Sequence, residues 1–149
     1  MQLSTKARYA SRAMIELALH YQEGPLQLKE ISKRQDISEK YLDQIMSPLR
    51  AKGYVYTHKG SQGGYCLAKP PDEITLYQII QVVEGSLAPV SCIDNPQSCP
   101  RVKICVTRDV WVRLKERIIE ELQAVTLGDL VREHAKKEAV IREDLDYHI

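Results

Sequence analysis

The chain has 149 residues, enough for one domain, or one small domain with a helical arm, and enough to bury a core without disulfide bonds. Apolar residues make up 44 % of it, and no stretch approaches the length of a membrane-spanning helix. Its net charge of +1 conceals an imbalance: residues 1–64 hold ten Lys or Arg against six Asp or Glu, and residues 65–149 hold eleven against fourteen. A basic first half suits a polyanionic partner, although solvated surface charge explains it more simply. We expect a cytoplasmic protein with no membrane partner, because the first residues lack an apolar export segment.

The first half of the sequence predicts a helix-turn-helix. Apolar residues recur at helical spacing from Thr5 to Tyr21, and Ser4 is placed to cap this first helix. A short second helix is expected over Leu28–Arg34, and a third begins after Ser38 and ends at Gly53. The third helix would bury one apolar face and present a polar one. This order is typical of a helix-turn-helix, with a plain helical hairpin as the alternative.

A β-hairpin is predicted directly after these helices. Tyr54–His58 and Tyr65–Ala68 are rich in aromatic or apolar residues and read as strands, with a glycine-rich loop over residues 59–64 between them. A hairpin in this place is the order of a winged helix. Glycines let the backbone approach another surface, and Lys59 supplies a charge suited to phosphate. The loop joins two strands and no Gly-Lys-Ser/Thr follows, so a nucleotide-binding loop is excluded.

The second half predicts a fourth helix, an irregular loop and a long helix. The fourth helix runs from Thr75 to Glu84 with a capping box, and the loop spans residues 86–105. A long helix begins near Thr107 with an apolar stripe that a small domain has no room to bury fully, so we interpret it as a dimerisation helix. The stripe consists of Trp111, Leu114, Ile118, Leu122 and Val125. Packing back onto its own domain is the alternative. A second capping box at Thr126 opens a short helix through Val131. A charged tail follows from Arg132, for which we expect partial helix or frayed ends.

These patterns predict a mainly α fold with a small β-hairpin. A winged helix-turn-helix DNA-binding domain would occupy residues 1–85, and a cysteine-rich cluster-binding loop residues 86–106. The dimerisation helix and the short helix after it would occupy residues 107–131, and the charged tail residues 132–149.

Three of the four cysteines, Cys92, Cys99 and Cys105, fall in the predicted loop. Their spacing lacks the close pair of a zinc finger and the run of four found in ferredoxins. Three thiolates on one loop could hold an iron–sulfur cluster or zinc and leave one coordination position open, which suits a sensor. Free thiols that never meet a metal are the alternative. We interpret Cys66, in the second strand of the hairpin, as a structural residue.

Several segments together carry a resemblance to a known family. They are Leu3–Ala10, Ile37–Ile45, Leu49–Gly53, Lys59–Tyr65 and Thr126–Leu130, of which the glycine-rich Lys59–Tyr65 is the most specific. With the three loop cysteines, they make the chain similar to the iron–sulfur cluster regulator family of winged-helix transcription regulators, typified by IscR and including NsrR and CymR. The resemblance covers nearly the whole chain except the tail.

This resemblance implies a homodimer that binds a double-stranded DNA operator with two-fold symmetry. The third helix would enter the major groove, and the tip of the hairpin would approach the minor groove. Gln44 can bond an adenine edge and Asp43 can accept from cytosine, whereas lysines and tyrosines can bind phosphate. The residues implied to meet DNA are Tyr9, Ser38, Lys40, Tyr41, Asp43, Gln44, Lys59 and Gly60.

The resemblance also implies that Cys92, Cys99 and Cys105 hold an iron–sulfur cluster, of the 2Fe–2S type with 4Fe–4S as the alternative. Two departures concern its fourth ligand. The histidine that IscR-type members carry three residues after the last cysteine is Arg108 here, and the aspartate that NsrR-type members carry near the start of the first helix is Arg8. A guanidinium stays protonated and is a poor ligand. The other candidates are Asp94, Asp109, His134, His148, a small exogenous thiol or water.

The sequence is therefore interpreted as a dimeric DNA-binding regulator that senses iron–sulfur status, or redox or nitric oxide stress, through a cluster on three cysteines. The alternative is a regulator of the same family without a cluster, acting as a thiol or zinc sensor or controlled by a partner protein. No nucleophile–base pattern or cofactor fingerprint supports an enzyme.

Overall fold

The computed structural model describes residues 2–148. Two predicted boundaries, the first residue of the winged-helix domain at Met1 and the last residue of the tail at Ile149, lie outside the described residues. The helices are α1 (Thr5–Leu19), α2 (Leu28–Gln35), α3 (Glu39–Ala51), α4 (Leu76–Glu84), α5 (Ser91–Asp94), α6 (Val106–Gln123) and α7 (Leu127–Tyr147). Strands β1 (Val55–His58) and β2 (Gly64–Leu67) form one antiparallel hairpin. The predicted mainly α fold with a small β-hairpin is confirmed.

Side-chain caps determine where four of the helices begin. The hydroxyls of Ser4 and Ser38 accept hydrogen bonds from backbone N–H groups in the first turns of α1 and α3. Thr75 and Thr126 form complete capping boxes at the starts of α4 and α7. Each of these caps was predicted from the sequence, because a capping residue ahead of a periodic apolar run is a local pattern.

The core lies where α1 meets α3, α4 and the hairpin. Its fully buried side chains include Met14 of α1 and Leu42 and Leu49 of α3. The hairpin adds residues from only one of its faces, because Val55 pairs with Leu67 and both are buried. The α3 helix is therefore fixed against the rest of the domain along one whole face.

The chain leaves the winged-helix domain and returns to it at nearly the same place. Thr75, just before α4, forms an antiparallel bridge with Thr126, just before α7. The backbone N–H of Leu76 donates to Val125, and that of Leu127 donates to Ile74, both at 2.8 Å. Leu127 is fully buried in the same core as α1 and α3. The core therefore includes a residue from beyond the cysteine loop.

Helix α6 packs only along its edge. None of its 18 residues is buried, although Ile118, Ile119 and Leu122 contact a small cluster around Ile80 of α4. Nearer the start of the helix, the apolar stripe is open to solvent: Trp111 is 37 % exposed and Leu114 is 38 % exposed. The long helix is confirmed, and its stripe lies partly on its own domain and partly in the open.

The prediction that the last helix ends at Val131 is wrong. Helix α7 continues to Tyr147, because residues 130–147 contain neither Gly nor Pro and are rich in Ala, Glu, Lys and Arg, which favour helix. The loop over residues 86–105 also contains short helical turns, α5 and the 3₁₀ turn Pro96–Ser98. Within residues 2–148, no helix has both the length and the apolar character needed to cross a membrane.

Candidate DNA-binding surface and cysteine loop

The outer face of α3 presents a row of polar side chains. Ser38 caps the helix by accepting a hydrogen bond from the backbone N–H of Tyr41 at 3.2 Å. Lys40, Asp43 and Gln44 are exposed, because the four buried side chains of α3 occupy the opposite face. A helix fixed along one face with free donors and acceptors along the other has the form needed to read base edges in a major groove.

Two predicted DNA contacts, Tyr9 and Tyr41, pack against each other. Their rings meet edge to face with centroids 5.5 Å apart, and both are half-buried. The Arg12 guanidinium lies over the Tyr9 ring at 5.3 Å, and its Nε donates to Oε1 of Gln35 at 2.9 Å. Sequence reasoning missed Arg12, although its position three residues after Tyr9 places both on one helix face. This cluster joins α1, α2 and α3 and carries positive charge at their junction.

One buried carboxylate fixes the spacing of α1 and α2. Glu16 of α1 is 8 % exposed and accepts a hydrogen bond from Nε2 of Gln35 at 2.6 Å. Arg34, also near the end of α2, places Nη1 3.7 Å from the same carboxylate. Because a buried charge needs partners, these contacts stabilise one arrangement of α1 and α2. They also support the turn that leads into α3.

The tip of the hairpin holds Lys59 and Gly60, and both are exposed. Gly60 has a φ of +108°, a backbone conformation that favours glycine over any other residue. The side-chain amide of Gln27, the residue that precedes α2, donates to the Ser61 carbonyl at 3.1 Å. The tip is therefore linked directly to the helix-turn-helix.

Cys66, the cysteine of the hairpin, faces away from the core, unlike its two neighbours in β2. Tyr65 and Leu67 face the core, whereas Cys66 is half-buried on the other face of the hairpin, opposite Tyr56. A hydrogen bond with Cys66 raises the pKa of the Tyr56 hydroxyl. Cys66 lies in a different element from the other three cysteines.

The cysteine loop is attached to α6 by two side chains. Lys115 of α6 donates to Oδ1 of Asp94 at 2.9 Å, and the Ser86 hydroxyl binds the same carboxylate. The hydrogen bonds from Ser86 and Lys115 hold the pKa of Asp94 below its usual range. Nε of Arg108 donates to the backbone carbonyl of Cys92 at 3.4 Å. The segment around Cys92 is thus held against the first half of α6.

Cys105 is the residue from which α6 begins. It occupies the N-cap position, and its Sγ lies 3.2 Å from the Thr107 hydroxyl. Hydrogen bonds from that hydroxyl and from the backbone N–H of Arg108 lower the pKa of the Cys105 thiol. The thiolate, which is the form that binds metals and reacts with oxidants, is therefore easier to form here than at a cysteine without these hydrogen bonds.

The three loop thiols suit a metal centre in kind and in number. Cys92, Cys99 and Cys105 are all free and half-buried, so each is reachable. Among residues 2–148, however, no three Cys, His, Asp or Glu side chains lie close enough together to hold a metal ion. The donor chemistry therefore fits a cluster, and binding one requires the loop to bring the three thiols together.

Several candidates for a fourth ligand already bind other side chains or backbone groups. Asp94 binds Ser86 and Lys115, and Nε2 of His134 lies 3.3 Å from Glu138 within α7. The Arg108 guanidinium is directed at the Cys92 carbonyl, and that of Arg8 donates to the Thr5 hydroxyl. Asp109 and His148 are exposed, in the first turn of α6 and just after α7. Among residues 2–148, the structure thus singles out no side chain as the fourth ligand.

A helix-turn-helix followed by a hairpin, with a polar face on its second helix, defines a winged-helix protein. Residues 3–133 match the Rrf2 family, described as iron-dependent transcriptional regulators. The HTH-type transcriptional regulator CymR of Bacillus subtilis is 41 % identical over 130 residues, which span 87 % of this chain and 89 % of that protein. The regulator IscR of Pectobacterium atrosepticum is 40 % identical over 146 residues, which span 98 % of this chain and 88 % of that protein.

Solved structures agree with this assignment. The structure of B. subtilis CymR, called the global cysteine regulator, superposes with a TM-score of 0.75 at 40 % identity and covers 89 % of this chain and 98 % of that one. The structure of T. potens IscR superposes with a TM-score of 0.74 at 40 % identity and covers 90 % of this chain and 88 % of that one. The chain therefore belongs to the Rrf2 family. It is a DNA-binding transcriptional regulator and not an enzyme.

Proposed function

We propose that this regulator binds a two-fold-related operator as a homodimer and that an iron–sulfur cluster on Cys92, Cys99 and Cys105 controls the binding. One observation carries the proposal: Cys105 is the N-cap of α6. Any change in what this thiol binds acts on the first turn of the helix whose exposed stripe would form the dimer. The distance between two α3 helices in a dimer depends on that contact.

The DNA-binding part of the proposal rests on α3 and the hairpin tip. Lys40, Asp43 and Gln44 would meet base edges or phosphates, and Lys59 and Gly60 would approach the backbone at the minor groove. Ser38, Tyr9 and Tyr41 would complete this surface, with the two tyrosines positioned by their mutual packing. The winged-helix domain of residues 1–85 would thus carry the operator contacts.

The regulatory part rests on the segments 86–106 and 107–131. A bound cluster, 2Fe–2S in our proposal and 4Fe–4S as the alternative, would supply a centre that responds to oxidants, nitric oxide or iron–sulfur supply. Lys115 and Arg108 hold the loop on α6, so that loop and helix move together. Residues 132–149, the predicted charged tail, take no part in this proposal.

Metal content tests the cluster directly. Protein purified without oxygen should show visible absorption with matched iron and sulfide, and the shape of the spectrum separates the two cluster types. Cys92→Ala, Cys99→Ala and Cys105→Ala should each lose iron, whereas Cys66→Ala is the matched control and should retain it. A colourless wild-type protein, with zinc or with no metal, would contradict the cluster.

Operator binding tests the DNA surface and the switch. Duplexes selected from a random pool should bind wild-type protein, and Gln44→Ala should lose discrimination at one base position, by about 1–3 kcal/mol for a bidentate base contact. Arg117→Ala, an exposed basic residue of α6, is the control and should bind normally. Cluster-loaded and cluster-free protein should prefer different duplexes. Equal binding of both forms to every duplex would contradict the switch.

A cluster-free thiol sensor is the second candidate function. It is favoured by the free, half-buried thiols and by the lowered pKa of Cys105. In that case operator binding should change when the cysteines are oxidised in metal-free protein, and Cys105→Ala should abolish the response.

A further inference from the structure

The second half of α7 extends away from the domain. Only the start of this helix is buried, at Leu127 and Gly128, where it packs on α1 and on the turn Pro71–Glu73. Residues 135–147 are all exposed. We call residues 132–147 the tail segment, and at the rise of an α-helix it is about 24 Å long.

The tail segment carries apolar side chains that nothing in residues 2–148 covers. Val140, Ile141 and Leu145 are 56–61 % exposed. Val140 and Ile141 line a shallow groove of about 440 Å³ together with Glu133, Lys136 and Lys137. Because most helical stability in proteins comes from packing an apolar face, a surface that covers these side chains would stabilise the tail segment.

The charges of the tail segment are separated along its axis. Residues 132–137 carry three basic side chains and one acidic one, whereas residues 138–147 carry one basic and four acidic ones. This polarity opposes the helix dipole, which favours acidic groups at the start of a helix and basic groups at its end. The last turn of α7 has no basic residue. The charge pattern therefore does not stabilise the isolated helix.

We propose that the tail segment pairs in antiparallel fashion with the tail segment of a second copy of the chain. Antiparallel pairing places the basic half of each helix beside the acidic half of the other and aligns the two dipoles favourably. With the pair centred on Val140, Lys136 and Lys137 of one copy lie opposite Asp144 and Glu143 of the other. The apolar side chains of both copies then share one contact.

This pairing differs from the α6 contact and does not depend on DNA or on a metal. The α6 stripe lies before Thr126, whereas the exposed residues 135–147 of the tail segment lie beyond Arg132, which still binds Asp72 of its own domain at 3.1 Å. A parallel pair would set like charges side by side, and the acidic half would repel a DNA backbone. A second copy is therefore the occupant that the charges favour.

Position-specific photo-crosslinking of the full-length protein tests the pairing. Leu145→p-benzoylphenylalanine, prepared in isotopically labelled and unlabelled copies that are then mixed, should give links between copies on irradiation. Antiparallel pairing predicts links to residues 133–137 of the other copy, and parallel pairing predicts links to residues 143–147. Links only within one copy, only in the parallel position, or only to a different protein would overturn the proposal.

Charge reversal provides an independent measurement in the same crosslinking assay. Lys136→Glu with Lys137→Glu, or Glu143→Lys with Asp144→Lys, should reduce the yield of links between copies roughly tenfold, because each pair of changes reverses four exposed charge contacts. All four changes together restore the complementarity and should restore the yield. Circular dichroism confirms that α7 is still helical in each variant. Yields that stay unchanged in the partial reversals, or that fall further in the fourfold variant, would contradict the antiparallel pair.

Discussion

Helices α3 and α6 are both amphipathic, yet they differ in how far their apolar side chains are buried. In α3, with 13 residues, Leu42, Ile45, Met46 and Leu49 are buried, whereas none of the 18 residues of α6 is. The position of α3 is therefore determined within one chain, as a helix that reads DNA requires. In the proposed function, the position of α6 would depend on what covers its stripe and on the cysteine loop at its start. A helix held in place by its own domain, α3, is thus followed in the chain by a helix, α6, that its own domain buries nowhere completely.

The largest expected effect lies in the core beneath α3. Leu49→Ala should lower the free energy of unfolding by about 2–5 kcal/mol, because it leaves a cavity at a fully buried position. Leu114→Ala in α6 should cost clearly less in monomeric protein, since Leu114 is already 38 % exposed. Denaturant unfolding of both variants measures the contrast, and equal losses would show that α6 is as firmly packed as α3.

Introducing a charge on the α6 stripe should act on assembly. Leu114→Glu removes apolar burial worth about 1.5–3 kcal/mol from each copy. The dimer dissociation constant should therefore rise at least about tenfold. Gln123→Glu places the same charge on the opposite face of α6 and serves as the control. Sedimentation equilibrium measures both, and a Leu114→Glu protein that dimerises like the control would place the dimer contact elsewhere.

A smaller effect is expected where the chain re-enters the domain. Thr126→Ala removes a capping box and should lower the free energy of unfolding by about 1 kcal/mol. Hydrogen bonds from the Thr126 backbone N–H and from Arg132 hold the pKa of Asp129 below its usual range. Asp129 therefore stabilises the fold above the usual carboxyl pKa, and this contribution is lost as the pH falls through its lowered value.

The pH dependence can be isolated with a matched variant. Asp129→Asn should flatten the acid limb of a plot of unfolding free energy against pH, relative to the wild type. Glu133→Gln, an exposed carboxylate of the same helix, should leave that limb nearly unchanged. Identical acid limbs in the wild type and in Asp129→Asn would contradict the assignment.

The smallest effect concerns the hairpin tip. Lys59→Ala should weaken operator binding equally for all sequences, and the slope of log affinity against log salt should fall by about one unit if Lys59 neutralises one phosphate. Titrations at several salt concentrations measure this slope. A change confined to one base position would instead indicate that Lys59 reads sequence.

Much of the winged-helix half could be predicted from the sequence, because its determinants are local. The caps at Ser4, Ser38, Thr75 and Thr126 and the strands around the glycine-rich loop are visible in a few residues each. The full length of α7 was missed because the charged tail was expected to be partly helical or frayed, although its composition favours helix throughout. Long-range contacts such as Arg12 with Gln35 and Lys115 with Asp94 join separate segments, so no single segment reveals them.

The bridge between Thr75 and Thr126 brings together the two ends of the segment that contains the cysteine loop. The chain between these two residues contains α4, the cysteine loop and α6. Helix α4 packs into the core beside α1 and α3, and Leu127 joins the same core from beyond α6. The entropy of closing such an excursion changes slowly with its length, by roughly 0.6 kcal/mol for each doubling. Cysteines can therefore be added, respaced or lost between these two points while the DNA-reading unit keeps its fold. A chain cut after residue 85 would lack part of that unit.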